Sequence, residues 1–442
     1  MSCIPIQKLD RFCYCTGVFN QRCLHCQIEI NRFMKHNNQH IATTKNASAL
    51  GLLLLVLLSF NTFSFANNGN KANSTTLVKT STYLPIDVKA TKETKMLYNN
   101  MMNLGKNKKV LFGHQDDLAY GSTWKYNTAN KGNLHMSDTK DVIGDLPALF
   151  GWDLGQYYPD SLNYMINGVL KNDLKKFITS AYLNGGINTI SWHCDNPLTR
   201  GRFNDCNSNT VHAILTDKAT NETFIKWLGY VADFMGDLKV NGVQIPVIFR
   251  PFHESNLNNC FWWDNGACGA EEYKALWKLT VTYLRDTRQL HNILFAFSVN
   301  DGFTTESFSS KFTQEYVDII GFDIYQRVNS FTEMKSFISK TRTNCLNMAS
   351  IAAKYGKVPA ITEIGADNVQ YSKWWTEAFL PAINNMPVAY ALLWRNPYKG
   401  VDASASYSVS ANHSSVNDFI DMYNNNPQII FCKDAAALNL YR

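Results

Sequence analysis

Several features are missing from this 442-residue chain, and each absence narrows what it can be. Leu50 to Leu58 is an apolar run broken only by Gly51. It is too short to cross a bilayer, which takes about 20 residues, so no stable membrane span is expected. Excess charge is small. The formal net charge is +6, and six Lys/Arg against Asp10 and Glu29 put about +4 of it before Ala66. The remainder is near neutral, which argues against nucleic acid as a partner. There is no Gly-x-Ser-x-Gly elbow and no phosphate-cradling glycine loop. His253-Glu254 opens like the zinc-binding His-Glu-x-x-His, but position 257 is Leu, so the spacing fails. Cys23-Leu-His-Cys26 has zinc-like spacing with no second pair to complete it. No metal site is expected, and neither an internal repeat nor a second domain is visible.

The N-terminal segment reads as targeting sequence. Lys35 and Lys45 flank the apolar run, and Ser64-Phe-Ala66 resembles a small-x-small cleavage site. Such a signal has ordinary length if it starts at Met34, so residues 1–33 read as a mis-assigned upstream start or an unusual extension. Residues 1–66 are expected to be removed and 67–85, polar and rich in Asn, Ser, Thr and Lys, to form a flexible leader. The expected location is therefore outside the cytoplasm, periplasmic or secreted. Six of the 11 cysteines follow Ala66: Cys194, Cys206, Cys260, Cys268, Cys345 and Cys432. An even number in an exported chain permits disulfides. Cys194–Cys206 and Cys260–Cys268 are near enough in sequence to close small loops, which leaves Cys345–Cys432, although six cysteines allow about fifteen pairings.

From residue 86 to 442, short apolar runs alternate with helical stretches. The runs are Lys109–Phe112, Leu146–Phe150, Ile187–Ile190, Val247–Phe249, Ile293–Phe297, Val317–Ile320, Val358–Ile361 and Val388–Leu393. They are apolar on both faces, as a parallel sheet covered by helices requires. Between them, Phe224, Trp227, Leu228, Val231, Phe234 and Met235 form one helical face, and Tyr273, Leu276, Trp277, Thr280, Tyr283 and Leu284 another. Eight strands alternating with helices predict an α/β fold, a single (β/α)8 barrel. The polar residues then fall into place. His114, Asp153, His193, Glu254, Asp323, Tyr325, Glu363 and Trp394 all follow strand runs, at the end where this fold carries its chemistry.

Glu254 and Glu363 end the fourth and seventh runs. Glycoside hydrolysis needs one carboxylic acid beside the leaving oxygen and one ionised carboxylate, about 5–5.5 Å apart for retention and about 6.5–9.5 Å for inversion. Tyr325 could donate to the Glu363 carboxylate. Trp262, Trp263 and Trp394 could stack on sugar rings. His193, His253 and Asn396 could bond the hydroxyls of the sugar being cleaved. Blander readings stand beside these. A Glu at a strand end can be a structural ion-pair partner, with Arg250 close by. The tryptophans could be core, Asp323 could be a supporting residue one layer out, and Asp153 could simply hold a loop.

Arg250-Pro-Phe-His-Glu-Ser-Asn256 with Phe261-Trp-Trp263 resembles the acid/base motif of glycoside hydrolase family 26, the β-mannanases. Phe112-Gly-His-Gln115, Gly151-Trp-Asp153, Ser191-Trp-His193, Phe322-Asp-Ile-Tyr325, Thr362-Glu-Ile-Gly365 and Leu393-Trp-Arg-Asn396 resemble its other strand-end motifs, in order. The resemblance runs from about Leu84 to the last helix and implies a retaining mechanism, with Glu254 as acid/base and Glu363 as nucleophile. It implies β-1,4-mannan, galactomannan or glucomannan as the polysaccharide partner, with manno-oligosaccharides. It also implies substrate contacts from His193, His253, Tyr325 and Trp394, and no metal or organic cofactor. His114 and Asp153 join the expected binding set, and the chain is expected to be a monomer or weak dimer. The sequence departs from the family where Ser255 stands for Met and Leu257 for Gly, and where Cys260 stands near the usual Trp. Those changes bear on the leaving-group side and on endo versus exo action. Two rival readings remain: a hydrolase of another β-glycan, such as β-1,3-xylan or mixed-linkage glucan, and a non-catalytic carbohydrate-binding protein.

Overall fold

In the computed structural model, residues 83–126, 136–155, 165–166, 168–206, 209–400 and 402–442 are described. The apolar run, the cleavage-like triplet and the first five cysteines lie outside them. Eight strands form the barrel: β1 Val110–Gln115, β2 Leu149–Asp153, β3 Ile187–Trp192, β4 Val247–Pro251, β5 Ile293–Asn300, β6 Ile319–Gln326, β7 Val358–Ala366 and β8 Tyr390–Leu393. Each pairs in parallel with its neighbour, and β8 returns to β1 through Leu111↔Tyr390 to His114↔Leu393, closing the barrel. The sequence-predicted (β/α)8 architecture is the observed one. Most strands run two or more residues further at the carboxyl end than their apolar cores. The polar residues expected just past the strands are therefore often part of the ladder. A ninth strand, β9 Ile429–Ile430, went unseen in the sequence. It pairs with Val110 and Leu111 below the point where β2 joins β1 at Gly113.

Period-two alternation divides the core into two. Leu111, Leu149, Ile187, Ile248, Leu294, Ala296, Ile319, Val358, Ala360 and Leu392 fill the barrel interior. They cluster with Leu97, Tyr98 and Met101 of the helix Lys92–Lys106. The intervening residues, such as Phe112, Phe249 and Phe295, pack outward with the helices. Helix Lys218–Gly236 buries the full predicted face. Helix Ala270–Thr282 buries Tyr273, Leu276, Trp277 and Thr280, and a π-type turn, Tyr283–Thr287, adds buried Leu284.

One irregularity matters most. The β6–β7 register shifts between Phe322 and Asp323, so that Phe322 pairs with Ile361 and Asp323 with Glu363, passing over Thr362. Val358 and Ala360 face the interior, and alternation alone would send Thr362 inward and Glu363 outward. The bulge re-aims the chain so that Thr362 and Glu363 both reach Asp323 and its neighbours. Gly321 makes the room, since a Cβ there would lie 2.5 Å from Thr362 Cγ2.

The expected disulfides are not formed. Cys194, Cys268, Cys345 and Cys432 are free thiols, which removes all three proposed pairs. Cys194, Cys268 and Cys432 donate instead to the carbonyls of Asp195, Trp263 and Asn184, at 3.2, 3.3 and 3.3 Å.

Candidate active site

Arg250 lies at the centre of the site. It sits on β4 in step with Ile248, so its guanidinium rises inside the barrel, 1% exposed. Nη1 donates to Ser298 Oγ and Asp323 Oδ2, each at 3.0 Å, and Nη2 donates to Glu363 Oε1. The second oxygen of Glu363 accepts from the Tyr325 hydroxyl. Burial and the Glu363 charge hold the Tyr325 phenol well above its ordinary range, so it remains a donor. Thr362 Oγ1 donates to Asp323 Oδ1 at 2.6 Å. Both oxygens of Glu363 are thus fixed by donors that are themselves fixed. Arg250 serves Glu363 and Asp323, not Glu254 as an ion-pair reading had it. Asp323 stands one layer out, where burial pushes its carboxyl well up against the pull of Arg250.

Glu254 is treated differently. It lies three residues past β4, in a turn where Phe252 and Glu254 have φ of +50° and +52°. Such angles strain any side chain that carries a Cβ. Its Oε1 accepts from Asn300 Nδ2 at 2.8 Å. Burial first, and then the Glu363 charge, push its carboxyl up to about 7, while Asn300, Arg250 and Arg327 pull the other way. Two carboxyl groups under one roof therefore have unlike surroundings, the arrangement that separates an acid from a carboxylate.

Asp153 ends β2 and accepts from Ser191 Oγ at 2.6 Å, from Gly155 N at 2.6 Å and from the His193 ring. Burial, which raises a carboxyl, is outweighed there by the His193 charge and these bonds, and its pKa falls to about 2. Burial lowers the His193 imidazole, but Asp153 overrides it and raises the group. His193 is about a fifth exposed, with ring centroids 4.5 Å from His253 and 6.2 Å from Trp394. His253 is held neutral by burial and by the charges of Arg250 and His193.

Not every expected residue arrives at this cleft. His114 is in step with Phe112 and so points outward between strand and helices, fully buried, with Nδ1 on Asp117 at 2.6 Å. Trp262 and Trp263 are fully buried too, their indoles donating to Cys194 O and His253 O at 2.8 Å. They form the floor beneath the Glu254 turn and present no face to a sugar. Asn396 is buried as a loop tie, donating to Asp138 and Val409 O and accepting from Tyr407 N and Ser408 N. Trp394, the third tryptophan of the expected set, is half-buried and in step with Leu392, its ring centroid 6.2 Å from that of His193.

Two residues escaped sequence reasoning. Asn300 ends β5 in Ser298-Val-Asn-Asp301, a strand end whose amide carries no motif. Arg327 sits with its guanidinium 4.1 Å from the Tyr325 ring centroid and bonds Asp367 and the Tyr407 hydroxyl, each at 3.0 Å. Its position just beyond Tyr325 was the available signal.

The sequence model of glycosyl hydrolase family 26 matches residues 86–387. A mannan endo-1,4-beta-mannosidase of Bifidobacterium adolescentis is 29% identical over 390 residues, covering 84% of this chain and 37% of its own length. This chain thus spans little more than a third of that relative. Another enzyme of that name, from Bacillus subtilis strain 168, is 27% identical over 348 residues, covering 75% of this chain and 88% of its own. Among solved structures, a family 26 β-mannanase from Bacteroides ovatus is 31% identical with a TM-score of 0.72. It covers 80% of this chain and 98% of that one. The catalytic domain of a family 26 endo-β-1,4-mannanase from a Bacillus species is 30% identical with a TM-score of 0.70, covering 81% and 96%.

Proposed function

The chain belongs to glycosyl hydrolase family 26, and we propose that it is a retaining endo-β-mannanase, cleaving β-1,4-mannosidic bonds in mannan, galactomannan or glucomannan. The observation that carries this reading is the unlike treatment of Glu254 and Glu363. In the first step a Glu363 oxygen, oriented by Arg250 and Tyr325, forms a bond to the anomeric carbon. The glycosidic C–O bond breaks, and Glu254 gives its proton to the leaving oxygen. In the second step Glu254, now a carboxylate, takes a proton from water. That water attacks the anomeric carbon and releases Glu363. A pKa near 7 lets Glu254 serve as acid and then as base at neutral pH. His193, held by Asp153, and Trp394 are assigned to the bound sugar, by hydrogen bonding and by ring stacking.

The names of the relatives support mannan over β-1,3-xylan or mixed-linkage glucan, and the buried, hydrogen-bonded carboxyl pair supports catalysis over passive binding. The enzyme is read as exported. The targeting-like residues before Asn67 support that, and among the described residues no helix is long and apolar enough to cross a membrane. The decisive measurement is reducing-sugar release from locust bean gum by wild type, Glu254→Ala and Glu363→Ala. Activity surviving both substitutions would sink the site assignment, and wild-type binding without hydrolysis would favour a carbohydrate-binding protein. The product profile on mannohexaose separates endo from exo action.

A further inference from the structure

Lys311 is a buried cation with no part in the scheme above. It ends the short helix Thr305–Lys311 that follows β5 and is 3% exposed. Burying an ammonium is costly unless its donors are used. Its Nζ donates to the carbonyl of Ser255 at 2.8 Å, the residue immediately after Glu254. The same ammonium lies 4.9 Å from the centroid of the Tyr273 ring. The Tyr273 hydroxyl donates in turn to the carbonyl of Phe252 at 2.8 Å. Phe252 and Ser255 bracket the turn, and both Phe252 and Glu254 have left-handed backbone. The two carbonyls between are also taken, His253 O by Trp263 Nε1 at 2.8 Å and Glu254 O by Leu257 N at 3.0 Å. All four carbonyls of a strained turn are therefore captured, and the only charged donor comes from the next strand–helix unit.

We propose that Lys311 and Tyr273 form a clamp that positions the acid/base turn, holding Glu254 against the leaving-group oxygen. A strained conformation persists only where its surroundings over-determine it. Without the clamp the turn relaxes, and Glu254 moves out of reach of the oxygen it must protonate. Neither residue touches substrate, so both are positioning residues. The groups facing Lys311 are the Tyr273 ring, the buried Asp264 carboxylate and the Cys268 thiol. Asp264 already accepts from Cys260 N, Phe261 N and Gly266 N, so it knits the loop that Lys311 closes. The clamp rests on the assignment of Glu254 as the acid.

The test uses the dependence of rate on the leaving group. The full chain, Lys311→Met and Tyr273→Phe are compared on mannohexaose, whose leaving sugar needs a proton, and on dinitrophenyl β-mannobioside, whose leaving phenolate does not. The expected result is a kcat on mannohexaose lower by about 10–100-fold with KM within about twofold, while the burst of dinitrophenolate keeps its wild-type rate. Tyr273→Phe changes a single hydroxyl within an unchanged ring, and it decides the matter if Lys311→Met does not fold. An equal loss on both substrates, or no loss on either, overturns the clamp while leaving the mannanase reading intact. Wild type inactive on both substrates overturns that reading and the clamp together.

Discussion

Asn300 donates its side-chain amide to Glu254 at 2.8 Å, and its own main chain is pinned by Asn256 through bonds of 2.7 and 3.0 Å. The bond favours the charged form of Glu254, so it pulls down a carboxyl that burial and Glu363 push up to about 7. The basic limb of kcat/KM should fall near pH 7, because the acid is lost there. Asn300→Ala should move that limb to higher pH by a fraction of a unit, since its bond to the ionised form is gone. A limb that stays put or moves down would count against the assignment.

The same raised pKa has a cost in stability. Burial and the Glu363 charge push the Glu254 carboxyl from its ordinary 4.5 in the unfolded chain up to about 7 in the folded one. Native stability from this group is complete below about 4.5 and is lost as pH rises through 7. Glu254→Gln carries no charge, so its melting temperature should gain on wild type between those values and hold the gain above. The gain should be at most roughly 3 kcal/mol. A gain that shrinks as pH rises would contradict the burial of Glu254.

Arg250 is the counter-charge for both Asp323 and Glu363. Arg250→Met should leave the two buried carboxyl groups without their cation, costing about 3–5 kcal/mol in stability as well as activity. Chemical denaturation would register it. An active Arg250→Met protein of wild-type stability would mean that the guanidinium is dispensable.

Tyr325→Phe removes one hydrogen bond to Glu363 and no ring. A bond to a charged group contributes about 1.5–3 kcal/mol, so kcat should fall by about 10–100-fold with little change in fold. Steady-state kinetics on mannohexaose would show it, and an unchanged kcat would remove Tyr325 from the mechanism.

The tryptophans should divide cleanly. Trp262→Ala opens a cavity in the floor and should cost about 3–5 kcal/mol of stability. Trp394→Ala, at a half-buried position, should instead raise KM for manno-oligosaccharides with a smaller effect on melting. The reverse pattern would exchange their roles.

Much of this was legible in the sequence. The eight strands follow from apolar runs at regular spacing, because local periodicity reflects burial on both faces. His193, Glu254, Tyr325, Glu363 and Trp394 could be picked out because function in a barrel gathers at one end of the strands. The disulfide expectation failed because spacing along the chain says nothing about which thiols meet. The paired tryptophans misled because an indole in a polar loop looks the same whether it faces a ligand or supports a turn.

The sequence by itself determined the closed barrel and the two glutamates that crown it, because both are written in short-range pattern. Only the tertiary structure decided which way these side chains point. His114 turns outward because it is in step with Phe112 on β1. Glu363 turns inward because β6 and β7 slip by one residue at Asp323. Asn300 reaches Glu254 from a neighbouring strand. Register, bulges and cross-strand contacts depend on partners many residues away, and no local window contains them.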